Sequence, residues 1–82
     1  MHEKQHNAFY TVDYQWTGQQ VLFVKVAGFD AEKGKEFEGL IKFVKGAPFG
    51  DLIHPQQSSL SADCIKDLRD YLTKKFAGDE FN

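Results

Sequence analysis

Cys64 is the one cysteine of this 82-residue chain, and it lies three residues after Ser61 in "SLSADCIKDLRDYL". At the start of a helix the dipole would favour its thiolate. Nucleophilic use also needs a neighbouring base, and the surrounding sequence offers none. Beside Ile65, a small, partly buried residue is the simpler assignment. His2 and His6 have the i,i+4 spacing of a zinc pair on a helix, but "MHEKQHN" reads as a frayed lead-in, and His54 stands far from both. Solvated histidines are expected. Asp63, Asp67 and Asp70 recur at spacings of four and three with Lys66 and Arg69 among them, which describes a solvated helix side, not a carboxylate pair in a pocket. "GAPFGD" lacks the G-K-[ST] ending of a phosphate loop. The residues point to no enzyme, no cofactor and no metal.

Charge narrows the partners. Ten Lys and Arg against twelve Asp and Glu give a net charge of −2, where a generic nucleic-acid or anionic-membrane binder carries a basic surplus. Arg69 is the single arginine, so bidentate phosphate recognition would rest on one side chain. No segment reaches the ~20 apolar residues of a membrane span, and the polar opening lacks a signal-peptide core. With one thiol, which cannot form an internal disulfide, the expectation is a soluble cytoplasmic protein. So short a chain has a thin core, and an oligomer interface is one common way to add burial.

Alternation predicts the first elements. Ala8, Tyr10, Val12, Tyr14 and Trp16 point one way, while Phe9, Thr11, Asp13 and Gln15 point the other. A turn at Thr17–Gln19, with Gly18 free to take positive φ, leads into a second strand, "QVLFVKVAGF". The adopted register sets Tyr14 opposite Leu22, Val12 opposite Val24 and Tyr10 opposite Val26. In the C-terminal part Ile65, Leu68, Leu72 and Phe76 form one helical face. Ser61 is its expected N-cap, Asp63 lies in the first turn, Leu60 and Ile65 occupy staple positions, and Gly78 terminates it. The stretch 46–59 reads as a loop tacked on by Phe49, Leu52 and Ile53.

The middle segment, "DAEKGKEFEGLIKFVKGAPFG", has two readings. As a helix it has Asp30 as N-cap and a Phe37, Leu40, Ile41, Val44 stripe, but it places Gly34 and Gly39 inside, at roughly 1 kcal/mol each. As a strand, "AEKG" becomes a hairpin loop with Gly34 left-handed, and Val24 meets Ile41, Leu22 meets Phe43 and Gly28 meets Phe37. The strand accounts for both glycines and for Phe43, and it agrees with the first hairpin. The expected fold is therefore α+β, a three-stranded antiparallel meander with one face packed by a C-terminal helix. A β-hairpin plus two helices is the alternative. The domain spans 8–78, between a flexible lead-in over 1–7 and a tail over 79–82.

This arrangement leaves an outer sheet face whose middle should be polar and is not. Its candidate interaction residues are Phe9, Val21, Phe23, Lys25, Phe29, Leu40, Lys42 and Val44. Either the 46–59 loop folds back over them, or the face is free and meets a partner, most simply a second copy in a homodimer. Another protein is the further option. Aromatic rings interleaved with lysines are also how sheets bind single-stranded nucleic acid, although Glu36, Glu38 and Asp13 share the surface.

A sheet followed by a loop and then "SLSADCIKDLRDYL" resembles the element order of PC4-like single-strand-binding domains. The resemblance covers that order and the Ser-Leu entry to the helix, and it implies architecture. The basic surface of such domains is missing here.

Overall fold

The computed structural model describes residues 6–81. Four strands, β1 (Ala8–Trp16), β2 (Val21–Asp30), β3 (Lys35–Val44) and β4 (Ala47–Phe49), form one antiparallel sheet in the order β1-β2-β3-β4. A single turn of 3-10 helix, Asp51–Ile53, and the helix α1 (Ala62–Ala77) follow. The protein is thus α+β, with α1 on one face of the sheet. Among the described residues no helix is long and apolar enough to cross a membrane. The lead-in expected over 1–7 falls outside the described residues up to position 5. Asn7, within them, is tied on both sides: its Oδ1 accepts from the Ala31 amide at 2.8 Å, and its Nδ2 donates to Asp67 at 2.8 Å.

The middle segment is a strand. Val24 faces Ile41, Leu22 faces Phe43 and Gly28 faces Phe37, as the pattern predicted. The Asp30–Lys35 hairpin closes with Gly34 at φ 64°, its amide donating to the Asp30 carbonyl at 2.8 Å.

The first hairpin departs from expectation. Its loop is Thr17–Gln20, one residue longer, and Gly18 is not among the positive-φ residues. Trp16 faces Leu22 and Tyr14 faces Val24, so the pairing of Tyr14 with Leu22 and Val12 with Val24 does not form. Between Thr11 and Asp13 the register then shifts, leaving Val12 without a partner. Such a β-bulge reverses which side chains face inward beyond it. Tyr14 and Trp16 share the side of Val24 and Leu22, whereas further along Thr11 and Phe9 take the inner side and Tyr10 turns out, opposite Ala27. Phe9 packs 5.5 Å from the Tyr71 ring and 6.0 Å from Phe37, and the Thr11 hydroxyl lies 3.3 Å from that of Tyr71. An unbroken alternation would have turned these contacts into solvent.

β4 is a strand where a loop was expected. Lys45 and Gly46 both have positive φ, 53° and 85°, as a two-residue hairpin loop that matches strand twist requires. Val44 therefore faces Ala47, and Lys42 faces Phe49. Pro48 is tolerated because β4 lies at the sheet edge. The chain then turns under the sheet. Leu52 sits over Gly39, where a Cβ would come within 2.5 Å of Leu52 Cδ1, and Ile53 is buried. So Leu52 and Ile53 cover the helix side, not the outer face.

The core lies between sheet and helix. Leu22, Val24, Val26, Ile41 and Phe43 meet Cys64, Ile65, Leu68 and Leu72, with Ile53 and Leu60 closing one end. Each large side chain buried here stabilises the fold by about 1.5–3 kcal/mol. Ser61 caps α1, its Oγ accepting from the Cys64 amide at 3.2 Å, and Leu60 and Ile65 are both buried beside it. At the other end Gly78 is the C-cap with φ −86°, and the left-handed residue is Asp79 at φ 57°. That reversal drives Phe81 into the core, 3% exposed and 5.9 Å from the Phe43 ring, so the packed body continues past 78. The Trp16 indole Nε1 donates to the Phe81 carbonyl at 2.7 Å.

Candidate interaction surface

The outer face is built from cross-strand rows whose pairing follows directly from the register. Phe23, Lys42 and Phe49 form one row, with Gln15 on the β1 side. Val21, Val44 and Ala47 lie to one side of it, and Lys25 with Leu40 to the other. Next come Tyr10, Ala27 and Glu38, and then Phe29 with Glu36. Seven of the expected residues share this face: Val21, Phe23, Lys25, Phe29, Leu40, Lys42 and Val44. Phe9 does not. The bulge at Val12 carries it to the helix side, against Phe37 and Tyr71.

Two residues join that sequence pattern alone placed elsewhere. Tyr10, expected inside, stands 58% exposed on the outer face, and Phe49, expected in a covering loop, is 55% exposed. The Lys45-Gly46 pair before "APF" is the signal that would have found Phe49. Nothing as clear announces the bulge, although the Asp13 carboxylate accepts the Tyr14 amide at 2.8 Å and so suits an interrupted ladder.

Leu40 is 55% exposed at the middle of the face, while Val21, Phe23, Phe29 and Val44 are half-buried. The cations are already engaged: Lys25 Nζ is 3.3 Å from Glu38, and Lys42 Nζ stands 5.9 Å from the Phe23 ring centroid. Both contacts are exposed, of the kind contributing at most about 1 kcal/mol. Among the described residues no segment crosses this face.

The remaining chemistry-bearing residues do not converge. Cys64 is fully buried, and burial, aided by the negative charges of Asp30 and Asp67, pushes its thiol up to about 12. The helix dipole that favours a thiolate is outweighed here by desolvation. His2 is outside the described residues, and His6 lines an open cleft of about 600 Å³ at the start of α1, with Asn7, Glu32, Asp63, Lys66 and Asp67. His54 is exposed, its Nδ1 accepting the Gln56 amide at 3.2 Å. Among the described residues no three His, Cys, Asp or Glu side chains gather as a metal-holding group. A second groove, about 410 Å³, is lined by Trp16, Phe76, Lys45, Gln19 and Gln20.

One buried acid escaped the sequence reading. Asp30, 1% exposed, accepts from the Ser61 amide at 2.7 Å, the Ser61 hydroxyl at 3.0 Å, and the Glu32 and Lys33 amides at 3.1 and 3.2 Å. Burial opposes its ionisation, but these hydrogen bonds prevail and hold the carboxyl below its ordinary value. Its position directly before a hairpin loop, where Asp bonds the amides that follow, was the available signal. The role is architectural: it joins the end of β2 to the cap of α1. No family model matches the chain, and no curated protein or solved structure is significantly similar to it.

Proposed function

We propose that this protein is a non-enzymatic interaction domain that binds a second copy of itself through the outer sheet face, as a homodimer. The observation that supports this is the apolar centre of that face. An antiparallel sheet with one solvated side normally presents polar residues there, yet Phe23, Leu40, Val44 and Phe49 surround Lys42, with Lys25 beside Leu40 and the acidic Glu36 and Glu38 towards one end. Contiguous apolar surface rimmed by charge marks contact sites, and two-fold dimers are the commonest assemblies of a single chain. A buried, unpaired thiol suits a reducing compartment such as the cytoplasm. Sedimentation velocity over a concentration series is the test. Wild type should self-associate, and Phe23→Asp should be monomeric with an unchanged circular dichroism spectrum. A wild-type protein that stays monomeric at every concentration would overturn the reading.

A second reading draws on the Phe23–Lys42–Phe49 row, in which two rings flank a cation. Bases of single-stranded nucleic acid stack on such rings while lysines follow the phosphates. It predicts low-salt binding to an oligonucleotide that weakens in Lys42→Glu. Absence of binding at low salt would end it.

A further inference from the structure

The charges of the outer face run in one direction along β3. Glu36 and Glu38 precede Leu40, Lys42 follows it, and every second residue of this strand points outward. Two facing copies related by a two-fold axis have two limiting arrangements. With the axis along the strands, each level of one sheet meets the same level of the other, so acidic rows face acidic rows. With the axis across the strands at the level of Leu40, the position two residues before Leu40 meets the position two residues after it. Glu38 of each copy then comes over Lys42 of the other, and the contact occurs twice.

The same operation suits β2. Its outward residues are Val21, Phe23, Lys25, Ala27 and Phe29, with Lys25 beside Leu40 on the axis level. Phe23 of one copy therefore falls against Ala27 of the other, a large side chain over a small one. Ala27, 5% exposed, is already covered by its neighbours, so Phe23 of the other copy meets the row Tyr10–Ala27–Glu38 and not a hollow in it. The two Lys25 side chains approach across the axis, but each is held by Glu38 of its own copy at 3.3 Å. Each Glu38 thus gains a second cation, while Glu36 comes level with Val44 at the rim, and the two Asp13, on the axis level at the β1 edge, each lie beside a Lys25.

Resting on the outer-face reading above, we infer that the dimer packs its sheets with antiparallel strands about Leu40, and that the reciprocal Glu38–Lys42 contact selects the partner. Charge complementarity of this sort decides orientation and rejects wrong partners more than it adds affinity.

Charge reversal tests it. Glu38→Lys and Lys42→Glu should each weaken self-association about tenfold or more, because each places like charges together twice. An equimolar mixture should recover association as a heterodimer. The first variant carries cations at both positions and the second carries anions at both, so each of the two contacts again pairs opposite charges. An affinity tag on one variant reads this, and the double reversal in a single chain should dimerise alone. Both positions are exposed, so circular dichroism should match wild type. Dimerisation of wild type and its loss in Phe23→Asp, without recovery on mixing, would overturn the antiparallel charge register and leave the outer-face reading standing. A monomeric wild type would remove both.

Discussion

Asp30 Oδ2 accepts the backbone amide of Ser61 at 2.7 Å while its Oδ1 accepts the Ser61 hydroxyl at 3.0 Å. Ser61 Oγ in turn accepts the Cys64 amide, so one carboxylate at the end of β2 orients the cap of α1. These groups are 31 residues apart in sequence and almost fully buried, with exposures of 1% and 4%. Asp30→Ala strands several buried donors, which costs roughly 3 kcal/mol. In a domain of this size that lowers Tm on the order of 15 °C. Thermal unfolding monitored by circular dichroism checks it, and Ser61→Ala combined with Asp30→Ala should cost less than the two singles added.

The same carboxyl sets a pH dependence. Its folded pKa lies below the ordinary value of 3.8, so the unfolded chain takes up its proton first as pH falls. The stabilisation is complete above about pH 5, begins to decline as the unfolded group protonates, and is lost as pH drops through the folded pKa below 3.8. Asp30→Asn should flatten that part of the acid decline. Urea midpoints from about pH 2 to 7 for both proteins would show the difference, and parallel curves would contradict it.

Phe81 closes the far end of the core. Its ring meets Tyr14 at 5.4 Å and Phe43 at 5.9 Å, and its carbonyl receives the Trp16 indole. Phe81→Ala should destabilise by about 3–5 kcal/mol, as truncation of a buried aromatic does. It should also change the fluorescence of Trp16, the single tryptophan. An unaltered emission spectrum with unaltered stability would show that the chain end is not packed.

Cys64 should be chemically silent in the folded protein. With its thiol pushed up to about 12, thiolate is scarce at neutral pH, and the side chain has no exposed surface. Reaction with a disulfide reagent should proceed only as fast as the protein opens, and denaturant should release one equivalent immediately. Fast native labelling would argue for an accessible, activated thiol.

Gly39 and Leu52 form a contact in which absence of a side chain matters. A Cβ at position 39 would lie 2.5 Å from Leu52 Cδ1 and 2.8 Å from its Cγ. Gly39→Ala should cost about 1–3 kcal/mol through overpacking. Leu52→Ala should lose burial by itself but rescue part of the Gly39→Ala defect. Additive denaturation free energies in the double variant would rule out the contact.

Local pattern alone determined β2 and α1, together with the Ser61 cap and the β2–β3 register. Each depends on neighbours in sequence or on a single short loop, where side-chain period and backbone preference agree. From the same pattern followed Phe23, Leu40 and Val44 on one side of the sheet. Tertiary structure decided the rest. The alternation of Ala8–Trp16 is close, broken by an apolar Phe9 among the polar positions, and Phe9 and Tyr10 exchange faces, because the Tyr71 ring and Phe37 reward an inward Phe9 more than a continuous ladder rewards regularity. Phe49 reaches the outer face because a Lys45-Gly46 turn lets three residues pair at an edge. Asp30 is buried as a charge only because Ser61 arrives from the other end of the chain to hydrogen-bond it. A period along one segment reports which side chains alternate; which side meets the core depends on partners that the segment does not contain.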